Sequence, residues 1–276
     1  MMMKTCRIGL YTFFIFFASL ASAQTEPTDS LSVFRLVRYI EKAAKDIHTD
    51  RLGNLYVVTK TNQLYKYSPE GILLSTLNYK YIGNISHIDA TNPLEIYVFY
   101  KELNLVVFLD NNLAYRGEMK LERYQVTQAS AIARSFDNGI WAFDLADLQL
   151  KRMDKNGENL QASGNIRQFV KQKQLLPTYV FDDNNRVFLV DSSTGIMVFD
   201  VFAQYLKTIP IRGNEEVKVI GDELYYKQQQ NIFKYHLKTF TTAGFRLPPG
   251  ETILDLSIEK GRLYILLPGK IGIYSF

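Results

Sequence analysis

Apolar residues along this chain come in short runs, separated by clusters of Gly, Asn, Asp, Ser and Pro. Runs this short, rich in Val, Ile, Leu, Tyr and Phe and bounded by turn formers, predict β-strands rather than helices. Each unit carries a strand core with one large anchor: Tyr56, Tyr97, Trp141, Phe188, Tyr225 and Tyr264. Ten to twelve residues later a second strand ends on Tyr67, Phe108, Met153, Phe199, Tyr235 or Tyr274. Successive first anchors are 41, 44, 47, 37 and 39 residues apart.

A period of about forty residues with several short strands in each is the mark of a β-propeller. The predicted fold is therefore all-β: a six-bladed β-propeller closed by an N-terminal strand. Asp46 opens the first repeat; Gly53-Asn54 and Ser68-Pro69-Glu70-Gly71 punctuate it as an antiparallel meander requires. The later repeats cover about 85–121, 130–166, 177–211, 216–248 and 253–276. The last has three strands only, and a spare strand-like run, Val33-Phe34-Arg35-Leu36-Val37-Arg38-Tyr39-Ile40, precedes the first. Pairing that run with 271–275 closes the ring and removes exposed edges. The alternative is a short amphipathic helix with Arg35, Arg38, Lys42 and Lys45 on one side; the missing fourth strand favours the sheet.

The motifs Gly53-Asn54-Leu55-Tyr56-Val57, Asp137-Asn138-Gly139-Ile140-Trp141 and Asn185-Arg186-Val187-Phe188-Leu189 resemble the repeats of six-bladed propellers of the NHL, TolB-like and lactonase groups. The resemblance spans nearly all of 31–276. It implies a blade, a tight turn leading into a buried strand, and not an activity. The stretches Asp89-Ala90-Thr91-Asn92-Pro93-Leu94 and Phe108-Leu109-Asp110-Asn111 are similar to those of exported bacterial propellers that carry no assigned role.

Residues 1–23 read as a secretory signal peptide: Lys4 and Arg7, an apolar run over 8–17, then Ala21-Ser22-Ala23. The apolar run is short of the roughly twenty residues a membrane span needs, so no transmembrane anchor is expected. Residues 24–30 are a polar, loose leader, and 31–276 form the propeller. Cleavage removes Cys6, the one cysteine, so neither a disulfide, a thiolate nucleophile nor a lipid anchor is available. It also removes two basic residues, leaving 30 Lys and Arg against 28 Asp and Glu. That balance argues against a nucleic-acid partner.

Ligands of propellers usually sit at a mouth of the central channel. The channel strands fall near 46–50, 85–89, 129–133, 178–181, 217–220 and 253–257, and their polar candidates are Asp46, His48, His87, Asp89, Arg134, Lys218 and Asp255. Asp46, Asp89 and Asp255 offer oxygens for a hard cation such as calcium, as the lactonase resemblance implies, but they do not occupy one equivalent repeat position. Measured from the anchors, His48 aligns with Asp89 rather than His87, which favours structural histidines. His236 should point away from its neighbour Tyr235. The chain contains no G-x-S-x-G, H-E-x-x-H, P-loop or G-x-G-x-x-G motif. No catalytic residue and no cofactor is assigned, and the metal question stays open. Tyr79, Tyr81, Tyr115, Tyr124 and Tyr205 fall in predicted connectors and offer a glycan- or peptide-contact surface. The connector 161–176, with Arg167, Lys171 and Lys173, reads as an exposed insertion. The functional expectation is an exported, monomeric, non-enzymatic binding or scaffold propeller with a protein partner at the cell envelope or in the periplasm. The alternatives are a metal-dependent hydrolase or lactonase, or a glycan- or peptide-binding module.

Overall fold

The computed structural model describes residues 34–276 apart from 79–82, 172–173, 184, 214–216, 229–230, 248–251 and 260. The expected signal peptide and leader therefore lie outside the described residues, as do Tyr79 and Tyr81. Strand β1 (Arg35–Ile40) comes first. Blade 1 is β2 (Asp46–Thr49), β3 (Leu55–Val58), β4 (Leu64–Tyr67) and β5 (Leu73–Thr76). Blade 2 is β6 (His87–Asp89), β7 (Glu95–Tyr100), β8 (Leu105–Asp110) and β9 (Tyr115–Lys120). Blade 3 is β10 (Ala129–Arg134), β11 (Ile140–Asp144), β12 (Gln149–Met153) and β13 (Asn159–Ala162). Blade 4 is β14 (Tyr179–Asp183), β15 (Arg186–Asp191), β16 (Gly195–Asp200) and β17 (Tyr205–Ile209). Blade 5 is β18 (Lys218–Ile220), β19 (Glu223–Gln228), β20 (Asn231–His236) and β21 (Thr242–Arg246). Blade 6 is β22 (Asp255–Glu259), β23 (Arg262–Leu267) and β24 (Lys270–Ser275), completed by β1. The protein is a six-bladed β-propeller, each blade a four-stranded antiparallel sheet.

Two recurrent turns make the meander. The turn between the first and second strands contains a residue with positive φ in five blades: Gly53, Asn138, Asn185, Gly221 and Gly261. Glycine and asparagine enter that left-handed region at least cost. Blade 2 uses Asn92-Pro93 instead, with Asn92 Oδ1 accepting from Leu94 N at 3.0 Å. The turn between the third and fourth strands is organised by one side chain. The Oδ1 of Asp110, Asp154 and Asp200, and the Oγ of Ser68, accept the amide N–H groups two and four residues on. The residue three on is left-handed in all four, although only Gly71 and Gly157 are glycine; Leu113 and Ala203 occupy the others. A Cβ on Gly71 would lie 2.9 Å from Arg38 Cδ and from Ile273 Cδ1, and one on Gly157 would enter the Tyr124 ring. Glycine is needed at those two turns because a neighbour sits on the backbone.

The core is six apolar clusters, one between each pair of adjacent blades. Five of the first anchors are buried in them, whereas Tyr225 is half-buried. Three anchors also reach across a blade boundary. Tyr97 Oη donates to Asn138 O at 3.0 Å, Trp141 Nε1 to Asp182 Oδ2 at 3.0 Å, and Tyr264 Oη to Gly53 O at 2.6 Å. Each ties an anchor to the innermost strand or first turn of the next blade. Tyr56 donates to Asp50 within its own blade and Tyr225 to Glu223 within its own strand, while Phe188 has no polar tip and stacks on Phe181.

Residues 35–40 form a strand, not a helix, and close the ring as the incomplete sixth repeat predicts. Antiparallel pairing runs from Arg35↔Ser275 to Ile40↔Ile271 with a bulge between Leu36 and Arg38. The Phe34 and Phe276 rings meet edge to face at 5.4 Å. Arg38 Nη1 donates to Glu70 O of blade 1 at 3.0 Å, so the closing strand also ties to the next blade. The connector 161–176 departs from its reading as an exposed insertion. Ile166, Val170 and Leu175 are buried in the cluster between blades 3 and 4, while Arg167, Gln168, Phe169, Lys171 and Gln174 between them face solvent. The connector is long because it covers apolar surface.

Removing residues 34–40 leaves β24 as a bare edge and uncovers the Ile271 and Ile273 side of blade 6. The expected result is a melting temperature lower by roughly 10 °C or more and a rise in light scattering on heating. Tyr264→Phe, which loses one buried hydrogen bond and keeps the ring, should cost only about 1 kcal/mol. Urea unfolding of both variants checks this order.

Candidate functional site at the channel mouth

The first strand of each blade is innermost: β2 meets β22, β6 and β14 meet β10, and β18 meets β22 around the axis. Side chains at the start of these strands surround a cavity of ≈ 950 Å³ at one end of the channel. Asp46, His87, Lys218 and Asp255 line it, together with Lys45, Tyr179, Arg212, Tyr225 and Lys227. Four of the seven sequence candidates thus share one mouth.

His48 lies just beneath and is 5% exposed. Its Nε2 is 2.9 Å from Asp46 Oδ2, and its ring meets His87 edge to face at 4.9 Å. Counting back from the anchors sets these histidines apart, His48 eight before Tyr56 and His87 ten before Tyr97, and the register agrees: His48 opposes Tyr56 whereas His87 opposes Phe99. An offset of two residues is about 7 Å along a strand and keeps the side chain on the same face. Two imidazoles span that offset, so inequivalent repeat positions come into contact. The far edge of His87 meets Tyr179 at 5.1 Å.

Asp46 also hydrogen-bonds Asp255. Asp255 in turn accepts the Ile47 N–H at 3.0 Å and the Leu256 N–H at 2.7 Å. Burial works against the ionised Asp46 carboxylate. The charge and hydrogen bond of His48, the Asp255 hydrogen bond and the nearby His87 outweigh it and hold the carboxyl well below the usual range. Lys45 Nζ donates to Asn62 Oδ1 and Ile85 O, both at 2.9 Å. Burial lowers its pKa, against the raising effect of Asp46 and Glu102. Lys218 Nζ lies 3.1 Å from Glu259 Oε2, and Lys227 Nζ donates to Ile253 O at 2.9 Å.

Asp89 and Arg134 belong to the other end of the channel and stabilise turns and strands there. Asp89 Oδ1 accepts from Thr91 N and Oγ1 at 2.9 and 2.6 Å, and Oδ2 from Arg134 N at 2.6 Å. The Arg134 guanidinium bonds Glu95 Oε2 at 2.7 Å and Asn138 Oδ1 at 2.8 Å while covering the Tyr97 ring at 4.3 Å. Nearby, burial pushes the Asp182 carboxyl up, although Trp141 and Phe136 donate to it. The carboxylates of Asp46, Asp89 and Asp255 therefore do not converge as one cation site. Among the described residues no group of three His, Cys, Asp or Glu side chains is arranged to hold a metal ion. His236 lies away from the mouth, its Nδ1 accepting from Lys238 N and Thr239 N at 3.2 Å.

The three loop tyrosines among the described residues lie on three different elements. Tyr115 lies on β9, Tyr124 packs in a 3-10 turn (Leu121–Tyr124), and Tyr205 lies on β17, its ring stacked on Phe169 at 4.9 Å. Sequence reasoning missed Lys45, Tyr179 and Lys227. Lys227 was legible: two residues past the anchor the other blades carry Val58, Phe99, Phe143, Val190 and Leu266, all buried, and blade 5 carries a lysine.

No protein-family model matches the chain, and no curated protein matches it. Among solved structures 892 chains match. A catalytically inactive variant of virginiamycin B lyase from Staphylococcus aureus, solved with quinupristin, is 11% identical with a TM-score of 0.60, over 88% of this chain and 99% of the other. An exported-protein candidate from Bacteroides fragilis is 13% identical with a TM-score of 0.57, over 88% of this chain and 87% of the other. The Pan2 WD40 domain of Neurospora crassa is 8% identical with a TM-score of 0.61, over 88% and 95%. Likeness this spread across unrelated activities establishes the propeller fold and nothing finer.

The low Asp46 pKa stabilises the fold fully above the unfolded carboxylate value, about 3.9. That contribution is lost as pH falls through the folded value. Asp46→Asn should therefore lower stability at pH 7 and flatten its dependence below about pH 4. Urea midpoints of both proteins at pH 7, pH 3.5 and pH 2 check this; losses that stay parallel down to pH 2 would remove the assignment.

Proposed function

We propose that this protein is an exported binding propeller that recognises its ligand, or a protruding segment of an envelope partner, in the channel-mouth cavity. One observation carries the reading: ionisable and aromatic side chains converge on an open cavity of ≈ 950 Å³. That volume falls in the range of small-ligand sites, and a few convergent polar groups against aromatic walls are their usual lining. Export is supported by the N-terminal pattern of Lys4, Arg7, the apolar run and Ala21-Ser22-Ala23. No helix of the described residues is long and apolar enough to cross a membrane.

A second reading, proton-transfer chemistry at the same mouth, is favoured by the Asp46–His48 hydrogen bond with His87 against it. A carboxylate-oriented imidazole beside a second imidazole is suited to general acid–base work. Under this reading His87→Ala abolishes turnover of the bound ligand while leaving its affinity within a few fold.

Leu254 lines the cavity and is 50% exposed, so Leu254→Trp fills the mouth without disturbing the core. Crosslinked capture from cell envelopes and a thermal-shift ligand screen should both lose their signal in this variant. Capture and screening hits that are indifferent to Leu254→Trp would refute a mouth-centred function.

A further inference from the structure

We infer that the mouth cavity selects an anionic ligand, recognised through carboxylate groups by Lys45 and Lys227 and packed against Tyr179 and Tyr225. This deepens the mouth-centred binding reading and rests on it. Among the described residues, four basic side chains, Lys45, Arg212, Lys218 and Lys227, line the cavity against two acidic ones, Asp46 and Asp255. Both acids are already engaged: Asp46 with His48 and Asp255, Asp255 with two backbone N–H groups as well. Lys218 is paired with Glu259. The ammonium groups of Lys45 and Lys227 are different. Their hydrogen bonds among the described residues go to neutral oxygens, Asn62 Oδ1 and Ile85 O for the first, Ile253 O for the second. An ammonium carries three donor protons, so each keeps donor capacity that the described residues leave unused.

The position of Lys227 makes the case stronger. Five blades place a buried apolar residue two past the first anchor, and packing alone would place one in blade 5. A lysine there gives up apolar burial and brings a charge to the wall of a partly desolvated cavity, a cost that an anionic ligand offsets. The lowered Lys45 pKa agrees: burial outweighs the acids near it, so an added carboxylate is favourable. Tyr179 and Tyr225 give flat, partly apolar area for the body of the ligand.

Acidic sugars, acidic peptides and small polycarboxylic acids share this chemistry. The test is calorimetric titration of the full mature chain at low salt with three probes, trigalacturonate, triglutamate and citrate, and with maltotriose and trialanine amide as neutral counterparts. At least one acidic probe should bind and its neutral counterpart should not, with affinity falling as salt rises. Preference among the three identifies the source of the carboxylates. Lys45→Gln and Lys227→Gln should each weaken binding about tenfold or more. Lys227→Leu restores the residue type of the other blades and should weaken binding equally while leaving the melting temperature within about 3 °C. Failure of all three acidic probes, or binding indifferent to both lysines, overturns the anion assignment. If the neutral probes then bind and Leu254→Trp blocks them, the cavity reading survives; if Leu254→Trp affects no binding at all, that reading falls too.

Discussion

Closure of the ring at the boundary between blades 6 and 1 is the constraint on which the rest of this structure depends. A propeller is a chain of nearest-neighbour sheet contacts, and only the last contact joins its two ends. Here β1 pairs with β24, Arg38 reaches Glu70, and Tyr264 donates to Gly53 O. The described chain has no disulfide to hold this boundary, because its only cysteine in sequence is Cys6. Packing and hydrogen bonds do so instead. At the axis the same boundary carries Asp255 on Ile47 N and Thr49 Oγ1 against Ser257 Oγ at 2.8 Å, contacts between residues 208 apart in sequence. The Asp46–Asp255 contact exists only when the ring is closed. Folding and the assembly of the candidate site are one event at this boundary.

Apolar and polar contributions divide the work around the ring. The six inter-blade clusters supply most of the stabilisation, since burial of each large side chain is worth about 1.5–3 kcal/mol. The staples from Tyr97, Trp141 and Tyr264 add only about 1 kcal/mol each. Their role is positional. A blade packed by apolar contact alone slides along its neighbour at little cost, whereas a directed hydrogen bond to one carbonyl or carboxylate fixes the axial height. Axial height decides whether His48 meets His87, and whether Asp255 reaches Ile47 N. Tyr264 sets that height at the boundary of blades 6 and 1; between blades 1 and 2, where Tyr56 bonds within its own blade, Lys45 on Ile85 O and Lys66 on Asn111 O do so.

Much of the fold was legible in the sequence, because one physical rule generates it: short apolar strands, broken by turn-forming residues, at a period of about forty. Ring closure followed from counting strands, and the structure bears it out. The turn chemistry was only partly visible. Glycine drew attention to Gly71 and Gly157, but an acceptor side chain at the turn's first position organises the equivalent turns at Leu113 and Ala203 as well. The connector at 161–176 was misjudged because its polar residues are frequent, while its three buried apolar residues are spaced irregularly and leave no periodic trace. The mouth was legible in composition but not in arrangement. Repeat alignment separates His48 from His87, yet side chains meet through axial height and reach. The same alignment grouped Asp89 with His48, although the structure places its carboxylate at the opposite end.

What alignment of the repeats does reveal, read for departures instead of matches, is blade 5. Its first anchor, Tyr225, is half-buried and bonded within its own strand. The cluster joining it to blade 6 holds seven buried residues, the fewest of the six clusters among the described residues. Its second strand substitutes Lys227 for an apolar residue. Each departure weakens packing, and together they open the wall of the ring beside the cavity. Natural sequences break their own local rules mainly where function requires it. Five regular blades hold the ring; the irregular one carries Lys227, the residue on which the anion proposal turns.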